Sequence, residues 1–250
     1  MHKAGNLCPI TQHARLRPRG YPGDATLLDL IYRHPEADAV ITQAPPLSHA
    51  IYSFNSETSG CRSLRQRRDM LTAKIKELAF RRPRVLSLAC GHLREAEFCK
   101  TALEQVDAFH AIDQDELSVG TVHRRYRQWG VRARVGTVRQ VLRRSAPMDA
   151  HYDFIYAAGL YDYLEERVAS RLLERLLDRL SPGGTLWVIN FQPSLDDIAY
   201  MEACMDWWLI YRTTDQMKGL LTDSPVSQIA AYRTFSEPEG NLAFLEVQKA

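Results

Sequence analysis

Val85-Leu-Ser-Leu-Ala-Cys-Gly-His-Leu-Arg-Glu95 decides the fold. Its first five residues form a short apolar run of the kind buried in a parallel sheet. Cys90-Gly91 breaks the run, and a helix-compatible stretch over 94–104 follows. Glycine at this turn lets a ligand approach the backbone closely. The next apolar run ends Phe109-His110-Ala111-Ile112-Asp113, placing a carboxylate 22 residues after Gly91. At about 20 residues' separation such a group can accept both hydroxyls of a ribose. A lone glycine after a strand is more often a tight turn, and a terminal Asp is usually a helix cap. Their joint spacing points instead to an adenosine site. A dinucleotide is disfavoured, because His92, Leu93, Arg94 and Glu95 stand where a three-glycine pyrophosphate fingerprint would continue, and Glu95 would repel phosphate.

Outward from this unit, apolar strands recur at 108–112, 131–135, 154–158 and 185–191, separated by helical segments, with two more at 229–235 and 242–248. Such alternation predicts an α/β fold with a mostly parallel seven-stranded sheet, Rossmann-like, covered on both faces. The helix expected over 165–180 has Leu172, Leu173, Leu176 and Leu177 on its buried side and Ser181-Pro182-Gly183-Gly184 as its stop. Before the sheet, amphipathic stretches at 25–32, with Asp24 as N-cap, and at 59–80 predict an N-terminal helical cap. The division is therefore a cap at 1–80 and a ligand-binding core at 81–250, with an active-site insertion near 193–225.

Lys and Arg total 32 against 30 Asp and Glu, a formal charge of +2 that gives no overall field for polyanions or anionic membranes. Five scattered cysteines, without a C-x-x-C pair or a His cluster at ligand spacing, favour free thiols, a reducing cytoplasm and no metal. No apolar run reaches the roughly 20 residues of a membrane span. The expected compartment is cytoplasmic, without membrane insertion. A homodimer stays open.

Four stretches together resemble class I S-adenosyl-L-methionine-dependent methyltransferases: Leu88-Ala-Cys-Gly91, Ile112-Asp113, Asp153-Phe-Ile-Tyr-Ala-Ala-Gly159 and Leu180-Ser-Pro-Gly-Gly-Thr-Leu-Trp-Val-Ile-Asn190. The resemblance runs from about Arg84 to the C-terminus. It implies S-adenosyl-L-methionine as cofactor, with Ala89, Cys90 and Gly91 against its methionine part, Asp113 on the ribose and Gln114 beside the adenine. It also implies contacts from Ala157 and Gly159. Glu95 suits the cationic cofactor, at its amino group or, through water, near its sulfonium. Thr137 replaces the acidic residue common at the adenine amino group, leaving backbone contacts from Val138. A narrower resemblance lies in Gly20-Tyr-Pro-Gly-Asp24, Gly159-Leu-Tyr-Asp-Tyr-Leu164 and Tyr200-Met-Glu-Ala-Cys-Met-Asp-Trp-Trp-Leu-Ile-Tyr-Arg212. These are similar to enzymes that make the methyl ester of 3-hydroxypalmitic acid, which implies a small-molecule substrate and an active-site capping role for these residues.

Each candidate side chain has a plainer alternative. Tyr21 and Asp24 could fold over the cofactor as a lid or simply form a turn before a helix. Arg65 and Arg67 could reach the cofactor carboxylate or face solvent. Asp162 and Tyr163 follow the fourth strand, where substrate contacts gather, although Asp162 could be only a helix cap. His92 could be a base, but an isolated histidine is more often structural. Cys90 reads as small and buried. Glu202 and Asp206, at i and i+4, could share a helix face and bind a polar substrate end. Trp207 and Tyr211 could line an apolar pocket or belong to the core. A carboxylate acceptor would need only a donor such as Arg212 or Tyr163 to orient it, whereas a hydroxyl or amine would want a base such as Asp162, Glu202 or His92. The basic residues at 62–76 and Arg124, Arg125, Arg127, Arg132 and Arg134 keep an RNA or protein substrate as an alternative, though no nucleic acid is expected. The Thr137 departure keeps a non-catalytic cofactor-binding protein as another.

Overall fold

The computed structural model describes residues 7–148, 151–222, 224 and 226–250. Residues 1–6 of the expected cap, and 223 and 225 of the expected insertion, lie outside it. The centre is a seven-stranded sheet of order β3-β2-β1-β4-β5-β7-β6. Its strands are β1 (Arg84–Leu88), β2 (Ala108–Asp113), β3 (Val131–Val135), β4 (Tyr152–Ala157), β5 (Leu180–Phe191), β6 (Ile229–Ser236) and β7 (Leu242–Lys249). The first five pair in parallel, whereas β7 is antiparallel to both β5 and β6. The sheet is thus mixed at its C-terminal end, because the short link between β6 and β7 can join strands only as a hairpin.

Side chains alternate along the strands and build two apolar layers. On one face Phe109, Phe154 and Ile189 share a cluster with Leu64, Leu71 and Ile75 of the helix preceding β1. On the other, Leu86, Ile155 and Val188 pack with Leu172, Leu173 and Leu176. The strand order reverses between β1 and β4, so a crevice opens at their carboxyl ends, where sheets of this kind bind ligands.

Among the described residues five α-helices precede β1: α1 (Pro9–Leu16), α2 (Ala25–Tyr32), α3 (Asp38–Thr42), α4 (Pro46–Asn55) and α5 (Ser59–Ala79). Asp24 caps α2, its Oδ1 accepting from Leu27 N at 2.8 Å. The helix expected over 94–104 is instead a 3₁₀ turn, Arg94–Phe98, and a one-turn helix α6 (Lys100–Leu103). Two adjacent charged side chains, Arg94 and Glu95, are drawn inward to different partners, Asp29 and Tyr156. Tertiary pairing here overrides the helical pattern.

The α-helices that follow among the described residues are α7 (Glu116–Tyr126), α8 (Val138–Leu142), α9 (Glu166–Leu177), α10 (Ile198–Met205) and α11 (Thr214–Gly219). Ser181-Pro182-Gly183-Gly184 lies within β5 and not at a helix end, and the β4–β5 register is irregular there. Among the described residues no helix is long and apolar enough to cross a membrane.

Candidate active site

At the carboxyl ends of β1, β2 and β4, roofed by α2 and α5, lies a cavity of about 650 Å³, within the range of about 300–1,000 Å³ typical of small-ligand sites. The turn after β1 forms one wall. Ala89 (φ 55°), Gly91 (φ 52°) and Leu93 (φ 54°) all adopt the left-handed region, which strains the two that are not glycine. The turn is held by Cys90 N donating to Ile112 O at 3.1 Å and Gly91 N donating to Asp113 Oδ2 at 2.8 Å. A Cβ on Gly91 would lie 3.3 Å from Ala25 Cβ, so α2 packs directly on this turn. Cys90 lines the cavity, but burial pushes its thiol well up, which keeps it protonated.

Asp113 is 6% exposed. Its Oδ1 accepts from Asp115 N at 2.9 Å, so each carboxylate oxygen holds one backbone N–H and retains a lone pair for another donor. Burial raises its pKa, and the backbone donors oppose that rise. Gln114, Thr137 and Val138 line the same end. Thr137 is a helix cap: its Oγ1 accepts from Gln140 N at 3.3 Å while Gln140 Oε1 accepts from Thr137 N at 2.8 Å. The departure noted at this position therefore has a local structural cause.

Glu95 and Arg67 mark another part of the wall. Glu95 Oε1 accepts from Tyr156 OH at 2.7 Å. Burial raises its carboxyl, while the tyrosine hydroxyl and the charges of Arg67 and Arg68 pull it back. Arg67 leaves α5 only 4% exposed. It donates through Nη1 to Ala158 O at 2.7 Å and through Nη2 to Tyr32 OH at 3.2 Å, while its buried Nε has no partner. A buried orphan N–H calls for an acceptor. Set near a buried carboxylate, it matches the opposite charges of an α-amino acid. With Asp113 across the cavity, the residues present fit S-adenosyl-L-methionine. Arg65 does not line the cavity; it donates to Ile31 O and Ser56 O at 3.0 and 2.8 Å.

The third region surrounds Asp162, Tyr163 and Trp207. Asp162 is 3% exposed, and its Oδ1 accepts from Phe191 N at 2.6 Å. Burial pushes its carboxyl up to about 6, against the pull of the Phe191 N–H and the charges of Arg67 and Arg212. Tyr163 OH accepts from Trp207 Nε1 at 2.8 Å. Tyr21 lines the cavity too, its hydroxyl pushed up by burial and by the charges of Asp113, Asp115 and Asp24. Asp24 itself caps α2 and pairs with His13 at 2.8 Å, so of the two candidates on the strap formed by residues 20–24 before α2, only Tyr21 faces the cavity. A Cβ on Gly23 would come within 2.2 Å of Tyr163 OH and 2.8 Å of Trp207. Gly23→Ala should displace both rings, cost about 1–3 kcal/mol by overpacking and lower kcat, measured by thermal unfolding and methyl-transfer assay.

Several expected residues lie elsewhere. Arg212 is buried outside the cavity wall, donating through Nη1 to Tyr161 O and Asn190 Oδ1, both at 2.8 Å. It ties the end of β5 to the turn after β4. Ala157 points to the opposite face of the sheet, among the α9 residues; by strand alternation Ala158, together with Gly159, takes the cavity side. Helix α10 ends at Met205, and Asp206 is left-handed (φ 52°) and paired with Arg17. Glu202 and Asp206 therefore do not form an i, i+4 pair, and neither lines the cavity. Residues 207–212 form neither helix nor strand, so Trp207 and Leu209 turn inward while Trp208 is 62% exposed and Tyr211 stays outside.

The sequence also hid an ion network behind the glycine turn. His92 Nδ1 lies 2.7 Å from Asp29 Oδ2, and Arg94 donates to both Asp29 oxygens at 2.7 and 2.8 Å and to Glu97 at 3.1 Å. Burial pushes the Asp29 carboxyl up, but the Arg94 and His92 hydrogen bonds outweigh it and hold it at about 2. Asp29, Glu36 and His92 converge within 4.8 Å, and the Arg94 guanidinium, bonded to both carboxylates, supplies the cation there. His92 is thus engaged structurally. The bonds from Asp29 and Glu36 to His92 and Arg94 span 58 to 65 residues, beyond any local signal.

A family model described as a methyltransferase domain matches residues 85–184. Comparison with curated proteins finds no match. Among solved structures, one of a possible exported protein from Bordetella parapertussis is 15% identical over 98% of this chain and 96% of that one, with a TM-score of 0.62. The CurJ carbon methyltransferase is 14% identical over 96% and 71%, with a TM-score of 0.61. The magnesium protoporphyrin IX methyltransferase of Synechocystis PCC 6803, solved with bound SAH, is 12% identical over 75% and 85%, with a TM-score of 0.54. At these identities the likeness is one of fold. The match of residues 85–184 to a methyltransferase domain is what supports an enzyme whose cofactor is S-adenosyl-L-methionine.

Proposed function

We propose that the methyl acceptor is a small, largely apolar molecule bound beside Tyr21, Tyr163 and Trp207, with a hydroxy fatty acid as the version suggested by the narrower sequence resemblance. The observation that carries this reading is the strap over the cavity. Gly23 packs so closely on Tyr163 and Trp207 that no Cβ fits between them, which suits a small acceptor better than a folded macromolecule. Leu160, Leu164, Phe191 and Leu209 give this end an apolar lining. Several arginines that suggested a polyanion are engaged internally: Arg62 with Glu239, Arg65 with backbone carbonyls, and Arg125 with Glu36 and Glu97.

When bound, S-adenosyl-L-methionine supplies an electrophilic methyl group on a sulfonium. Asp113 would hold the ribose, Arg67 and Glu95 the amino-acid end, and the backbone of the glycine turn would pack against the methionine part. The rest of the work is alignment of the acceptor and exclusion of water. Calorimetric titration of the purified protein should give micromolar binding of S-adenosyl-L-methionine and S-adenosylhomocysteine. Incubation of the protein with methyl-labelled cofactor and separate pools of small metabolites, RNA and protein should then put label in the small-molecule pool, with little dependence on salt. Label in RNA or protein, with activity falling steeply as salt rises, would refute the acceptor class.

A further inference from the structure

Two acceptor chemistries were open from the sequence, and the cavity separates them. A carboxylate acceptor needs a cation or donor to orient it. Of the two candidates, Arg212 is buried in bonds to Tyr161, Leu164 and Asn190 outside the wall, and Tyr163, which lines the cavity, is a neutral hydroxyl set beside the Asp162 carboxylate and brings no positive charge. The charged side chain at this end, among Tyr21, Tyr163 and Trp207, is the carboxylate of Asp162, and a second carboxylate beside it would be repelled. Of the three candidate bases, Glu202 lies outside the cavity and His92 is tied to Asp29. Asp162 alone of them stands next to Tyr163 and Trp207.

We infer that the acceptor atom is a proton-bearing oxygen or nitrogen, not the carboxylate that the ester chemistry of the narrower resemblance implies, and that Asp162 takes its proton. The inference rests on the small-molecule methyl-transfer reading above. A lone pair of the acceptor atom forms the bond to the methyl carbon as the carbon–sulfur bond breaks and its electron pair stays on sulfur. The acceptor's proton passes to the Asp162 carboxylate, which later releases it to water. The charged groups acting on Asp162 are Arg67 from α5 and Arg212 from the insertion, with Tyr163 beside it and Tyr211 near it. Arg67 already donates to Ala158 O and Tyr32 OH. Burial holds the Asp162 carboxyl at about 6, so it is ionised at neutral pH yet basic enough for proton transfer.

The test uses two probes that differ only in their head group, 4-hexylphenol and 4-hexylbenzoate, titrated into the protein saturated with S-adenosylhomocysteine. At pH 8 the phenol should bind at least about tenfold more tightly, as expected from the effect of a nearby like charge. Below pH 5 the preference should shrink as Asp162 protonates. Asp162→Asn keeps an oxygen to accept from Phe191 N, so it should retain S-adenosylhomocysteine binding and lose the preference. Methylated product from the wild type should resist mild alkali, as an ether or amine does, and the acid limb of kcat/KM near pH 6 should vanish in the variant. An equal or stronger affinity for the benzoate at pH 8, a preference that survives Asp162→Asn, or an alkali-labile methyl ester would overturn the inference. So would binding of neither probe by protein that does bind S-adenosylhomocysteine. Failure of S-adenosylhomocysteine itself to bind would overturn the cofactor assignment beneath it.

Discussion

Asp113→Ala is expected to weaken S-adenosyl-L-methionine and S-adenosylhomocysteine binding about 100-fold, measured by calorimetry on protein whose circular dichroism matches the wild type. The carboxylate is 6% exposed and already accepts from Gly91 N and Asp115 N at 2.8 and 2.9 Å. Those two donors fix its plane and leave the remaining lone pairs for the two hydroxyls of a ribose. Hydrogen bonds to a charged group contribute about 1.5–3 kcal/mol each, so losing two costs about 3 kcal/mol or more, and each 1.4 kcal/mol is about a factor of ten. Asp113→Asn presents one oxygen to two backbone donors and should fall between, about tenfold weaker. An affinity for Asp113→Ala within about threefold of the wild type would remove this carboxylate from the cofactor site.

The adenosine end was legible because its parts are local: a strand, a glycine and a carboxylate at the next strand's tip, each readable from spacing. The same holds for the central strands, which read as short continuous apolar runs because both faces of the sheet are covered. The acceptor end was read less well. There, a helix continued past residue 205 would put Glu202 and Asp206 on one face; the chain leaves α10 at Met205 through a left-handed Asp206. Nothing local announces that turn, since its pairing partner, Arg17, is 189 residues away. Arg212 lies outside the cavity wall for a related reason. An arginine beside an active site can serve a ligand or hold the wall together, and only the positions of Tyr161 O and Asn190 Oδ1 decide which. Arg67 goes the other way, from a helix face that reads as solvated to a buried guanidinium in the cavity, because Tyr32 of α2 and the Ala158 carbonyl take it inward.

Arg94→Ala should destabilise the fold by about 3–5 kcal/mol, lowering Tm by about 10 °C. Arg94 is 2% exposed and is the cation shared by Asp29, Glu36 and Glu97. Removing it leaves the buried Asp29 carboxylate with His92 alone among those partners, and an uncompensated buried charge costs more than the pair contributed. The pH dependence has a definite sign. The Asp29 carboxyl is held at about 2, below its ordinary value of 3.8, so its contribution is present above about pH 4 and is lost as pH falls through 2. That contribution is about 2 kcal/mol, and the stability curves of the wild type and Arg94→Ala should converge as pH falls through this window. Because His92 belongs to the glycine turn, the same substitution should also loosen the cofactor site and weaken S-adenosylhomocysteine binding. A buried ion network and a merely well-packed side chain differ in one further respect. Combining Arg94→Met with Asp29→Asn removes both charges, and the double variant should be more stable than Arg94→Ala alone, since no ionised group is left stranded. If the double variant is instead less stable than either single change, Arg94 acts through packing, and the link between α2 and the glycine turn is steric rather than electrostatic.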